Sequence, residues 1–124
     1  MKYDYPAIFT WHEQEKIYTV TFPDADNWFT DGYSLSEAME YATDVLNLML
    51  WDAEKCGDPI PKASKIEDIK LEDKNSFVQY IHSDTELYED WLNLLQLRKI
   101  LDMKKRYKAS KVKRFKKRRT EVSL

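Results

Sequence analysis

Charge is the feature that most restricts how this 124-residue chain can fold. Residues 98–124 hold 13 Lys/Arg and 2 Asp/Glu, a net of +11, whereas residues 1–97 hold 7 Lys/Arg and 20 Asp/Glu, a net of −13. An unpaired charge is costly to bury, so a core has to come from the first hundred residues or so. The overall net charge of −2 describes neither part. The split points to two kinds of partner. An acidic body repels phosphates and attracts a basic protein. A basic end attracts nucleic acid, an acidic membrane surface or an acidic protein.

The acidic part has the means to make a core. Hydrophobic residues are 43% of the chain and aromatics 14%, which argues against wholesale disorder. Residues 5–11 are apolar and aromatic, with Pro6 near the start, and read as a strand. Residues 12–16 read as a turn. Residues 17–22 alternate, with Ile17, Thr19 and Thr21 facing one way and Tyr18, Val20 and Phe22 the other, so the two strands form a hairpin. Residues 23–27 read as a turn, and Trp28-Phe29-Thr30 as a short third strand. Asp31-Gly32 then suits a tight turn or bulge, through the tolerance of glycine for positive φ.

Ser34-Leu35-Ser36-Glu37 has the form of a capping box and opens a helix. Leu35, Ala38, Met39, Ala42, Val45, Leu46, Met49 and Leu50 follow at helical intervals. Gly57 is placed to end it, with Pro59 and Pro61 preventing its resumption. Residues 76–82 read as a fourth strand, and their nearly continuous apolarity suggests an interior place in the sheet. Asp84 or Thr85 is placed to cap a second helix. Its Leu87, Tyr88, Trp91, Leu92, Leu94, Leu95, Leu97, Ile100 and Leu101 make an apolar surface too wide for one seam. Part of that surface should cover the sheet. Part should meet a second copy of the chain, with Leu87, Trp91, Leu94 and Leu101 as the oligomerisation residues.

Catalytic chemistry has little support. Two glycines cannot make a phosphate-cradling loop, and no CxxC, HExxH or close His pair is present, so neither cofactor nor metal is expected. His12 and His82 fall in different places, and Asp4, Glu37, Glu40 and Asp84 read as solvated or helix-end charges rather than as a metal-binding nuclease site. Cys56 is the only cysteine, so no internal disulfide can form, and it reads as an inert thiol. No signal-peptide core opens the chain and no apolar run approaches the ~20 residues of a membrane span, so a cytoplasmic protein without a membrane partner is expected. Trp11, Trp28, Phe29 and Tyr33 can be read as packing or as anchors of a protein interface. The strongest functional signal is the basic run Lys104, Lys105, Arg106, Lys108, Lys111, Lys113, Arg114, Lys116, Lys117, Arg118 and Arg119. Clustered like this, Lys and Arg gain from counterion release on DNA or RNA, although a solubilising tail has the same composition.

A set of turns and strand ends resembles the HicB antitoxin family. It comprises Tyr5-Pro6-Ala7-Ile8-Phe9, Tyr18-Thr19-Val20-Thr21-Phe22-Pro23-Asp24, Phe29-Thr30-Asp31-Gly32, Ser34-Leu35-Ser36-Glu37-Ala38 with Ala42 downstream, and Gly57-Asp58-Pro59-Ile60-Pro61. The match covers roughly residues 3–82. The resemblance implies an α+β, partial RNase H-like fold: a three-stranded antiparallel meander, a helix, and a fourth strand beside the first. It also implies an antitoxin of a type II toxin–antitoxin pair. Such a protein binds a small basic HicA toxin, an mRNA-cleaving protein, and covers its active surface. It does not imply nuclease activity, because the catalytic carboxylates of that fold are not restored here. Asn27-Trp28 departs from the small pair usual in the family and suggests an exposed Trp28 that could alter partner contact. No strand for a ribbon-helix-helix domain follows residue 83, and the Leu-rich helix and basic run take that place. The expectation is therefore a HicB-like domain at 1–83 and a helix with basic extension at 84–124. Such a chain neutralises a toxin, dimerises and touches DNA through its tail. The competing reading is a stand-alone nucleic-acid-binding module acting through the tail alone.

Overall fold

A computed structural model describes the backbone of residues 1–122 and the side chains of residues 1–106. Strands β1 (Lys2–His12), β2 (Ile17–Phe22) and β3 (Ala25–Gly32) form an antiparallel meander. Helix α1 (Leu35–Cys56) follows, then a 3-10 turn (Ile66–Asp68), strand β4 (Ser76–Asp84) and helix α2 (Thr85–Val122). β4 pairs antiparallel with β1, giving the order β3-β2-β1-β4. The α+β class and the fourth strand beside the first are as the sequence implies. The chain divides into two compact units, Met1–Tyr88 and Glu89–Leu124.

In the first unit, alternation places Tyr5, Ala7 and Phe9 of β1, Val20 and Phe22 of β2, Trp28 of β3 and Ile81 of β4 in one core. The buried stripe of α1 is Ala38, Ala42, Leu46, Leu50 and Ala53, spaced by four, four, four and three residues, so one face of the helix packs on the sheet. Ser34 caps it, its hydroxyl accepting the Glu37 N–H at 3.1 Å. Gly57 ends it in the left-handed region at φ 70°, and the Asp58 N–H donates to the Ala53 carbonyl at 2.9 Å.

Three sequence expectations are corrected. β4 is an edge strand, with only β1 beside it. Its apolar residues are used on two faces without a second neighbour. Ile81 is in the core and Phe77 stacks on Phe9 with ring centroids 5.1 Å apart, while on the other face the Tyr80 hydroxyl accepts the Ile66 N–H at 3.0 Å. The turn expected at 23–27 is limited to Pro23 and Asp24, and β3 begins at Ala25, with a bulge between Thr21 and Phe22. Gly32 ends β3 without a positive φ. Its lack of a side chain is needed because a Cβ there would stand 2.6 Å from the Ala38 nitrogen and 2.9 Å from its Cα. On α2, Tyr88 meets Trp51 edge-on, while Leu94, Leu97, Ile100 and Leu101 are exposed.

The segment joining α1 to β4 is anchored by residues of the motifs already noted. The Tyr5 hydroxyl donates to the Pro61 carbonyl. Both oxygens of Asp24 accept from Ser64, one from its N–H at 2.9 Å and the other from its hydroxyl. Burial, followed by the Asp24 charge, pushes the Tyr5 phenol up from its ordinary pKa. A second polar knot joins β1, α1 and the start of α2. Glu54 Oε1 accepts from the Tyr3 hydroxyl at 2.7 Å and from Thr85 Oγ1 at 2.9 Å, while the Thr85 N–H donates to the Met1 carbonyl at 3.0 Å. Burial first, then the bond to Glu54, pushes the Tyr3 phenol up to about 12.

Candidate functional site

The four aromatic residues singled out in the sequence do not form one patch. Trp28 is 6% exposed and meets Tyr5 and Phe22 edge-on, with centroids 5.4 and 6.2 Å away. The exposed place expected for it is therefore corrected. In β3 the large indole fills the core at a position inward by alternation, and little of it is left to touch a partner. Its neighbour Phe29 is 65% exposed on the opposite face of the sheet. Trp11 shares its parity with Phe9 and lies in register with Tyr18, which pairs in turn with Gly32. The Trp11 and Tyr18 rings are 4.7 Å apart, and the indole N–H donates to Glu13 Oε2 at 2.6 Å. Lys16 also donates to Glu13, and these bonds, Lys16 first, hold the Glu13 carboxyl below its ordinary pKa. Tyr33, next to Gly32 and exposed, belongs to the same end of the sheet.

The second face of the sheet is a surface that the list of aromatics missed. Alternation puts Ile8, Thr10 and His12 of β1, Thr19 and Thr21 of β2, and Phe29 of β3 on this side. Thr10 and Ser76 share a hydrogen bond of 2.7 Å, and His12 Nε2 lies 2.9 Å from Thr19 Oγ1. The result is a hydroxyl-rich face with an exposed phenyl at its edge. Its signal was present in the alternation of Ile17, Thr19 and Thr21 against Tyr18, Val20 and Phe22.

Of the groups weighed for catalysis, His82 and Asp4 form an exposed pair across β4 and β1. His82 Nδ1 lies 2.9 Å from Asp4 Oδ1, both exposed. Asp84 caps α2, accepting the Glu86 and Leu87 N–H groups at 3.2 and 3.3 Å, which resolves the alternative of Asp84 or Thr85. Glu37 stands in the first turn of α1, where its charge suits the helix dipole. Among the described residues, the carboxylate-rich group that does converge is Asp52, Cys56 and Asp58, all exposed. The Asp52 charge is the main cause that raises the Cys56 thiol above its ordinary pKa, which lowers its reactivity.

On α2, Leu87 lies in the first turn, and Trp91, Leu94 and Leu101 follow in the second unit. All four are at least half exposed or nearly so, from 65% at Leu87 to 49% at Leu101. Of the basic residues, Lys104, Lys105 and Arg106 are exposed. The helical backbone continues to Val122. Lys108, Lys111, Lys113, Arg114, Lys116, Lys117, Arg118 and Arg119 lie outside the described side chains. Among the described residues, no helix is long and apolar enough to cross a membrane.

Known proteins agree with this architecture. The chain is similar to a protein of a toxin–antitoxin complex from Streptococcus pneumoniae at 24% identity and a TM-score of 0.64, over 71% of this chain and 73% of that one. It is similar to a protein of a HicA3–HicB3 toxin–antitoxin complex at 20% identity and a TM-score of 0.53, over 66% of this chain and 99% of the other. A third likeness is the N-terminal domain of the Burkholderia pseudomallei antitoxin HicB, at 16% identity and a TM-score of 0.56, over 64% and 95% of the two chains. These likenesses show a shared fold. No curated protein sequence matches the chain. The profile of the HicB-like antitoxins of bacterial toxin–antitoxin systems matches residues 4–73, more than half of the sequence, and this chain therefore belongs to that family.

Proposed function

We propose that this chain is the antitoxin of a toxin–antitoxin pair and neutralises a small basic toxin of the HicA type by binding it. The observation that carries the reading is the net charge of −13 over residues 1–97 in a chain of this family. Such a charge favours a basic, RNA-handling partner, speeds encounter with it and disfavours direct contact with phosphates. The domain acts in the cytoplasm by binding and not by catalysis. The exposed Phe29 and Tyr33 and the half-buried Trp11 supply its aromatic contacts, whereas Trp28 serves the core. Self-association through α2 gives a dimer that carries two basic extensions, and these contact DNA.

The test is co-expression with the small open reading frame beside the gene. Growth arrest by the neighbour, rescue by this chain and co-purification of the two are expected. A neighbour that is harmless, or that neither binds nor is rescued, overturns the proposal. Phe29→Ala and Tyr33→Ala should then weaken the complex without unfolding the domain.

A further inference from the structure

The exposed face of α2 has a charge pattern that selects one way of pairing with a second copy. Trp91, Leu94, Arg98, Leu101 and Lys105 fall on a single stripe, spaced three, four, three and four residues apart, and each is exposed. That is the spacing of a two-helix seam. Asp90, Leu97 and Lys104 flank it on one side, and Leu95 and Asp102 on the other.

Direction decides what meets in such a seam. With two copies parallel, each stripe residue faces its own equivalent. Arg98 is then set against Arg98 and Lys105 against Lys105, like charges opposed where water is partly excluded. Antiparallel pairing removes both conflicts. Trp91 packs on Leu101 of the second copy, and Leu94 takes the aliphatic stem of Arg98, whose head group reaches the edge of the seam. The same register puts Asp90 beside Lys104 of the second copy, twice in the dimer. It also sets Leu97 against Leu97 at one border and Leu95 against Leu95 at the other. The helix is acidic at Glu86, Glu89 and Asp90 and basic from Lys104 onward, so reversal also aligns opposite ends.

We infer that α2 is the interface of an antiparallel homodimer, centred between Leu94 and Arg98. The inference rests on the self-association part of the proposed function and is independent of the toxin.

The experiment uses the full chain with Cys56→Ser, so that only introduced thiols react. Asp90→Cys and Lys104→Cys are prepared separately, mixed in equal amounts, and treated with a short bismaleimide after the native mass has been measured in solution. The expected result is twice the chain mass, with the mixed Asp90→Cys/Lys104→Cys product dominating over either self-linked product. Charge reversal supplies the second reading. Asp90→Lys or Lys104→Asp alone should weaken dimerisation several-fold, and the two together should recover it, since residues 14 apart on one helix cannot reach each other. A dimer that gives self-linked products, or shows no recovery in the double variant, overturns the antiparallel register and leaves self-association standing. A monomer, with α2 covered by its own domain or reserved for the toxin, overturns both. Neither result bears on whether the chain restores growth in the presence of a toxin.

Discussion

Gly32 and Trp28 show how much the protein depends on single side chains at the contact of α1 with β3. Gly32→Ala must displace the first turn of α1, because the added Cβ would stand 2.6 Å from the Ala38 nitrogen. A loss of about 1–3 kcal/mol in urea unfolding is expected, by overpacking and without loss of a contact. Trp28→Ala removes an indole that is 6% exposed and held edge-on by Tyr5 and Phe22, and should lower stability by about 3–5 kcal/mol. Both positions were visible in the sequence, but each was given another reason. A glycine after Asp31 suits a turn and a tryptophan beside Asn27 suits a surface. Only the position of α1 against β3 shows that one is a close approach and the other is core. Tyr3 makes a prediction of pH dependence. Its phenol is raised to about 12 from 10, so the folded state holds a proton that the unfolded state loses first. The stability it contributes is complete below pH 10 and is lost as the pH rises toward 12. Tyr3→Phe should flatten the fall in melting temperature across that window.

At the scale of elements, the hairpin, α1 with both of its ends, and the start of α2 were legible because local chemistry marks them. Ser34, Gly57 and Asp84 each satisfy backbone groups that the helix leaves open. Ser34→Ala should therefore cost about 1 kcal/mol, measured by thermal or denaturant unfolding. The resemblance put β4 beside the first strand, but its own apolarity did not show that it lies at the edge. Continuous apolarity distinguishes a strand covered on both faces from one exposed on a face, but it does not show whether there is a neighbour on each side. In this domain the 3-10 turn at Ile66–Asp68 bonds to Tyr80 on one face, and the core lies on the other. The Asp24–Ser64 and Tyr5–Pro61 bonds were also invisible, being contacts across 40 and 56 residues of sequence. Through them Asp24 and Tyr5 hold the segment after α1 in place, at Ser64 and Pro61 respectively.

For the whole molecule, the sequence carried the division of charge, and the division of charge sets the expected behaviour in solution. Association of the acidic domain with a basic toxin should slow as salt is added, whereas dissociation from its apolar contacts should change little. DNA binding, if it resides in the basic extension, should fall steeply with salt and vanish when residues 104–119 are deleted, with toxin binding retained. A salt-insensitive interaction, or one that survives the deletion, would place the DNA contact elsewhere. What the sequence left open was the candidate contact surface. The aromatic residues are spread between the core, one end of the sheet and its second face, and their grouping depends on strand parity and register.

The anchoring of the segment between α1 and β4 also bears on how the protein is removed from the cell. Lys62 and Lys65 would ordinarily invite trypsin in so long a connection, yet Pro61, Ser64 and Ile66 around them are all bonded to the strands or the turn between them. In α2 the exposed Arg98, Lys99, Lys104, Lys105 and Arg106 are held by a helix, whose local opening is governed by its own backbone bonds and by whatever packs on it. Digestion should therefore begin in α2, at Arg98 or beyond, and leave a persistent fragment that contains the domain of residues 1–88. Such a first cut would separate the acidic domain from the basic extension. A chain clipped in this way would still bind a toxin but would lose its hold on a second copy and on DNA, so that turnover would silence one activity before the other.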